Sequence, residues 1–124
     1  MAGGDGVLDD AGIDERLARD LPRWTRDGGV IARRYRTAGW KGTLMVVVTV
    51  GHLAEAAWHH PDIAASYSSV EVRLTSHDAG GVTERDLALA ARIEDVVTWR
   101  PGREDGPLAG TPDDPRFAYV LDDD

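Results

Sequence analysis

The chain has 124 residues, which is enough for one domain with a single hydrophobic core but too few for two. Apolar residues make up 42% of it and charged residues 29%, as in an ordinary globular protein. The lack of cysteine excludes disulfides, a thiolate nucleophile and a thiolate metal site. The formal net charge of −8 disfavours direct binding to nucleic acid, because an acidic surface repels phosphate backbones.

The N-terminal composition predicts a cytoplasmic protein. Residues 1–6 are neither basic nor apolar, unlike a secretory signal. The longest nearly uninterrupted apolar run, residues 44–50, is far too short to span a bilayer, so no membrane association is expected. Residues 1–9 begin with a Gly-rich stretch and are predicted to form a flexible N-terminus.

The first elements follow from periodicity and turn chemistry. A helix is predicted over residues 10–21, because an aspartate precedes it and Ile13, Leu17 and Leu21 recur on one stripe. An Asp-Gly turn at residues 27–28 then predicts a hairpin, with strands over residues 24–26 and 30–36.

In residues 40–58, residue propensity and apolar periodicity predict different secondary structures. The β-branched run at 46–50 favours a strand by propensity. Apolar residues nevertheless recur at steps of three and four, and residues 53–58 are strong helix formers. We predict one long helix that ends at His59 or His60, because Pro61 disfavours helical geometry in the residue before it. A helix this apolar is expected to be buried on more than one side, by an oligomer interface as well as by the core.

The second half predicts two strands, a helix and a tail. Strands are expected over residues 63–67 and 70–75, and a helix over residues 84–98 with Thr83 as its N-cap. Residues 101–124 are rich in Pro, Gly and Asp but include an apolar patch around Phe117. This C-terminal tail is therefore predicted to dock on its own domain or on a neighbouring subunit.

The histidines are the clearest candidates for chemistry. All four lie between residues 52 and 77, and imidazoles exchange protons near neutral pH. Two further interpretations stay open from the residues alone. A histidine pair at a helix end is typical of a solvated or C-capping pair, and three histidines also suit zinc. Asp86, three residues after Thr83, equally fits a capping box.

The spacing of these residues resembles the signature of the pterin-4a-carbinolamine dehydratase (4a-hydroxytetrahydrobiopterin dehydratase) family. That signature contains an acidic residue, a His-His-Pro triplet, an aromatic residue, a histidine and an aspartate at set intervals. The matching positions are Glu55, His59, His60, Pro61, Tyr67, His77 and Asp86. The resemblance covers about residues 10–98.

The resemblance implies an α+β fold of two layers. An antiparallel four-stranded sheet carries helices on one face, in the order α-β-β-α-β-β-α, and an extended C-terminal tail follows. The dehydratase-like domain is expected over residues 10–100. Family members form homodimers or homotetramers in which the sheet continues across subunits and the long helices pack together. The valines then expected mostly between subunits are Val46, Val47, Val48 and Val50.

The implied activity is loss of water from a 4a-hydroxytetrahydropterin, giving the quinonoid dihydropterin and recycling the cofactor of an aromatic amino acid hydroxylase. By this resemblance His59, His60 and His77 carry the acid–base catalysis. Glu55 would orient an imidazole, and Asp86 would support His77 or bind the pterin edge. The proposed substrate contacts are Trp24, Pro61 and Asp78. No cofactor is implied because the pterin is the substrate, and the family uses no metal.

A non-catalytic alternative also follows from the resemblance. Relatives act as a transcription coactivator in animals or as Rubisco assembly factors in bacteria with carboxysomes, which would make this protein carboxysome-associated. The apolar helix, the tail and the replacement of aromatic residues by alanine at positions 64–65 favour this alternative. The complete set of histidines and carboxylates favours the enzyme.

Overall fold

The computed structural model describes residues 6–123 and confirms the predicted order α-β-β-α-β-β-α. The elements are α1 (Asp10–Asp20), β1 (Thr25–Asp27), β2 (Val30–Arg36), α2 (Trp40–Ala57), β3 (Asp62–Ser66), β4 (Ser69–Leu74) and α3 (Glu84–Val97). The four strands form one antiparallel sheet in the order β1-β2-β4-β3. The predicted α+β class is therefore confirmed.

The sheet has one buried and one open face. Ile31 pairs with Leu74 and Tyr35 with Val70, and all four side chains point into the core. The residues between them, such as Arg34, point to the opposite, open face. This alternation places the large buried residues of β2 and β4 on the side that the helices cover, as the period of two in a strand requires.

Helix α2 forms despite its β-branched run because one stripe of it packs on the sheet. Val46, Val50 and Ala54 recur at four-residue steps and are buried in the chain's own core. The expectation that Val46 and Val50 lie mostly between subunits is therefore wrong. Val47 is half-buried against the core, whereas Val48 is 70% exposed.

The C-terminal tail lies along the end of β2. The Ala38 amide donates to the Tyr119 carbonyl at 2.9 Å, and the Leu121 amide donates to the Arg36 carbonyl at 2.9 Å. The tail also passes close to Gly42 of α2, where a β-carbon would sit only 2.5 Å from the Tyr119 oxygen. Glycine at position 42 thus allows the tail to lie directly against α2.

A buried polar cluster joins β2, α3 and the tail. Arg33 makes paired hydrogen bonds of 2.8–2.9 Å to Glu94 and to Asp123. Glu94 also accepts hydrogen bonds from the Tyr35 hydroxyl and from the Trp24 indole nitrogen. Trp24 is only 3% exposed. The hypothesis that Trp24 forms an aromatic wall for a ligand is therefore wrong, because its ring is part of the core.

The N-terminal segment is described from residue 6 onward. Residues 1–5 of the predicted flexible segment 1–9 lie outside the described residues. The Leu8 amide donates to the Val82 carbonyl at 2.9 Å, and Asp9 caps α1 by accepting from the Gly12 amide. Within residues 6–123, no helix has the length and apolar character needed to cross a membrane.

Candidate active site

The C-terminus of α2 determines where the two adjacent histidines lie. The helix ends at Ala57, and Trp58 adopts the left-handed conformation with φ 53° and ψ 47°. The Trp58 amide donates to the Glu55 carbonyl and the His59 amide to the Ala54 carbonyl, which is the hydrogen-bond pattern of a Schellman motif. The helix therefore stops two or three residues earlier than predicted, and the chain reverses its direction before His59.

His59 is held by a buried carboxyl group. Its Nε2 atom lies 2.6 Å from Oδ1 of Asp86, which is fully buried, and the His59 side chain is 12% exposed. The other Asp86 oxygen accepts hydrogen bonds from the Ser76 hydroxyl at 2.7 Å and the Thr83 amide at 2.9 Å. Since Asp86 accepts at both oxygens, it places the His59 proton on Nε2 and leaves Nδ1 available.

Asp86 has a different partner from the one predicted. It pairs with His59, whereas the sequence suggested His77. The reversal at Trp58 explains the difference, because it turns His59 toward the start of α3. Asp86 also completes a capping box with Thr83, so its structural and site roles coexist.

Ser76 also belongs to this site, although it is not among the residues that the sequence pattern indicates. Its hydroxyl lies 2.8 Å from the Thr83 hydroxyl and donates to Asp86, and its side chain is buried. A signal was present in the alternation Val70, Val72, Leu74, where the next inward position is Ser76. A polar residue at an inward position requires a buried hydrogen-bond partner.

His60 has a different, exposed environment. Its Nε2 atom lies 2.9 Å from Oε1 of Glu55, and both side chains are exposed. Glu55 therefore contacts an imidazole as expected, one residue later than the helical spacing suggested. The Trp58 and His60 rings meet almost perpendicularly, with their centroids 5.1 Å apart. Pro61 follows directly and is half-buried.

His77 and Asp78 lie in the turn that follows β4. The Ser76–Gly81 bridge closes this turn, so His77 adjoins a residue that binds Asp86. Asp78 accepts two hydrogen bonds from Arg85, at 2.9 and 3.1 Å. These bonds hold the pKa of Asp78 below its usual value. Because Ser76 donates to Asp86, the turn lies near the His59–Asp86 pair.

This arrangement suits proton transfer. Two imidazoles each have Nε2 against a carboxyl group, and their Nδ1 atoms remain for a ligand. A carboxyl partner fixes the tautomer and stabilises the imidazolium that forms when the ring accepts a proton. Across residues 6–123, no three His, Asp or Glu side chains come together in a group that could hold a metal ion.

Comparison with known sequences places the chain in a family. A model described as pterin 4 alpha carbinolamine dehydratase matches residues 6–96. A Chloroflexus aurantiacus protein is 46% identical over 90 residues, covering 73% of this chain and 96% of that protein. An Aquifex aeolicus protein is 43% identical over 83 residues, covering 67% of this chain and 84% of its own length. Both carry the name "Putative pterin-4-alpha-carbinolamine dehydratase".

Two solved structures share the fold. The transcriptional coactivator/pterin dehydratase from Brucella melitensis superposes with a TM-score of 0.69 at 26% identity, covering 74% of this chain and 99% of that one. A pterin dehydratase-like protein described as a RuBisCO assembly factor in the alpha-carboxysome gives a TM-score of 0.50 at 21% identity, covering 61% and 88%, and this likeness concerns the fold alone. The chain belongs to the pterin 4 alpha carbinolamine dehydratase family.

Proposed function

We propose that this protein dehydrates 4a-hydroxytetrahydropterins of the tetrahydrobiopterin type to the quinonoid dihydropterin. One observation carries the proposal: the buried His59–Asp86 pair lies next in the chain to the exposed His60–Glu55 pair. Two imidazoles with unlike surroundings suit a reaction that removes one proton and delivers another. A buried aspartate that only capped a helix would not need a histidine at 2.6 Å.

The reaction takes a proton from N5 of the pterin and gives a proton to the departing 4a-hydroxyl, which leaves as water. We assign the base to His59, because Asp86 stabilises the imidazolium that results. His60 or His77, both exposed, delivers the proton to the leaving hydroxyl. Each such group contributes about 10²–10⁴-fold in rate. Electrons are neither gained nor lost overall, so the reaction needs no cofactor besides its pterin substrate.

Substrate contacts fit the rim of the site. Asp78 is exposed and ionised at neutral pH, so its carboxylate can accept N–H groups from the edge of a pterin. Pro61 offers an apolar surface next to His60. Trp24 makes no such contact, because it lies in the core.

The assembly we propose is a homodimer or homotetramer in the cytoplasm. One side of α2 exposes an apolar stripe formed by Trp40, Leu44, Met45 and Val48. Contiguous apolar surface of this kind marks an interaction site, and the family forms oligomers through its long helices. A second copy of the chain is the partner that we expect on this stripe.

The same stripe favours the alternative function, in which the protein helps to assemble Rubisco or another large partner in a carboxysome. Co-purification with Rubisco tests that alternative, and a null result with protein whose stripe is intact would contradict it. Dehydratase activity does not require binding to Rubisco.

A stopped-flow absorbance assay tests the enzyme directly. Generate 4a-hydroxytetrahydrobiopterin in the cell, add substoichiometric protein, and follow formation of quinonoid dihydropterin. We expect multiple turnovers well above the spontaneous rate. Dehydration at only the spontaneous rate would contradict the proposed function.

A further inference from the structure

We propose that Trp58 is the platform on which the pterin ring stacks. No comparison assigns a role to this residue, and the inference rests on the proposed function because it names a substrate contact of the same site. Three observations carry it: the backbone conformation of Trp58, its exposure, and its position beside His60.

The backbone at Trp58 is in a conformation that glycine prefers. Among residues 6–123, Trp58 is the only residue other than glycine with a positive φ. The Schellman position that it occupies is usually taken by glycine, or sometimes by asparagine. A bulky side chain there is an outlier that costs stability relative to glycine. Glycine at position 58 should therefore make the folded protein more stable than tryptophan does.

The indole gains little from packing that would offset this cost. Trp58 is 75% exposed, the largest exposed fraction among the tryptophans of the described chain. Its one ring contact is the perpendicular contact with His60. Backbone strain that no packing offsets is typical of functional sites, where the strained residue contacts a ligand.

The position of the ring matches a flat heteroaromatic ligand. The indole lies against the His60 imidazole, with ring centroids 5.1 Å apart, so a ring stacked on the indole lies beside the histidine site. Because the two rings are nearly perpendicular, a ligand parallel to the indole is perpendicular to the His60 imidazole. Stacking of a nucleobase-sized ring on an aromatic side chain strengthens binding by about tenfold or more.

The test compares Trp58→Gly and Trp58→Phe with the wild type. Bind 7,8-dihydrobiopterin by titration calorimetry, and measure Tm and KM for the same proteins. We expect Trp58→Gly to bind about tenfold more weakly and to raise KM by a similar factor, while its Tm rises by roughly 2–4 °C. Trp58→Phe keeps a ring and should retain most of the affinity. The matched control is Trp99→Ala, which removes a half-exposed tryptophan elsewhere in the chain and should leave affinity unchanged.

Several results would overturn the inference. Wild-type affinity in Trp58→Gly, together with normal turnover by the wild type, would refute the stacking role alone. A lower Tm in Trp58→Gly would mean that the indole serves folding. A change in oligomeric state with unchanged affinity would mean that it contacts a second copy. Absence of both turnover and dihydrobiopterin binding in the wild type would instead refute the proposed function, and the inference with it.

Discussion

At the scale of single residues, two adjacent histidines have unlike partners. His59 bonds to a fully buried aspartate, and His60 bonds to an exposed glutamate. A charge-assisted hydrogen bond to a buried carboxyl group is strong and geometrically fixed. An exposed ion pair is worth only about 0–1 kcal/mol, because water screens it. The two pairs should therefore contribute unequally to catalysis.

Asp86→Asn tests this asymmetry. The amide group of asparagine can donate to His59 Nε2, which would move the imidazole proton to Nδ1 and remove the base. We expect kcat to fall about 10²-fold or more, with the pterin Kd changed little. Circular dichroism and Tm should accompany the kinetics, because Asp86 also caps α3.

Glu55→Gln is the matched control for Asp86→Asn. It makes the same chemical change at the exposed pair, where we expect less than about fivefold loss in kcat/KM. A larger loss in Glu55→Gln than in Asp86→Asn would contradict the assignment of His59 as the base.

Part of this site can be predicted from the sequence. The sequence selects Glu55, His59, His60 and Asp86, and the structure brings these four into two hydrogen-bonded pairs. The sequence does not reveal which carboxyl group meets which imidazole, because that depends on the left-handed turn at Trp58. The left-handed position at the end of a helix is usually occupied by glycine or asparagine, so the sequence does not predict such a turn at a tryptophan.

At the scale of elements, the cluster around Arg33 joins β2, α3 and the tail. Burial raises the pKa of Glu94, but hydrogen bonds from Arg33 and Tyr35 outweigh burial and hold this pKa below its usual value. Burial also raises the pKa of the Tyr35 hydroxyl, with the charge of Glu94 adding to the effect, so the hydroxyl remains a donor. The cluster thus stabilises the fold while Glu94 is ionised.

Glu94→Gln should therefore change acid stability. A carboxyl group with a lowered folded pKa stabilises the protein above its unfolded pKa, and this stability is lost as pH falls through the folded pKa. At pH near 7 we expect Glu94→Gln to lower the free energy of unfolding by about 2–4 kcal/mol. Below pH about 4.5 the difference from the wild type should shrink. Urea unfolding of the wild type and Glu94→Gln, at pH near 7 and below pH about 4.5, measures this difference in unfolding free energy. The same difference at both pH values would contradict the assigned role of Glu94.

The elements themselves differ in how well the sequence predicts them. Strand β4 follows from alternation and α1 from one apolar stripe, since each pattern agrees with local propensity. Helix α2 required a choice between propensity and periodicity, and periodicity prevailed because Val46, Val50 and Ala54 pack on the sheet. Which valines would remain exposed depended on the rotation of α2, which no local pattern specifies.

At the scale of the whole molecule, the stripe on α2 is an apolar surface that residues 6–123 leave uncovered. Val48 is the last residue of this stripe along α2 and its most exposed one, at 70%. A charge at this position would be buried without a partner in any interface formed by the stripe, which is costly. Val47 is a less suitable probe because it packs partly on the core.

Val48→Asp should dissociate the oligomer into monomers with an unchanged far-ultraviolet circular dichroism spectrum. Size-exclusion chromatography with light scattering measures the mass. Ala18→Asp, on the exposed face of α1, introduces the same charge away from the stripe and should leave the mass unchanged. A Val48→Asp protein with the wild-type oligomeric mass would contradict the proposed interface.

The most direct measurement is the rate of dehydration of 4a-hydroxytetrahydrobiopterin by wild type, His59→Ala and His60→Ala under identical conditions. We expect multiple turnovers by the wild type, a loss of at least about 10²-fold in His59→Ala, and a smaller loss in His60→Ala. Wild-type protein that does not exceed the spontaneous rate, or a His59→Ala protein as active as the wild type, would contradict this expectation.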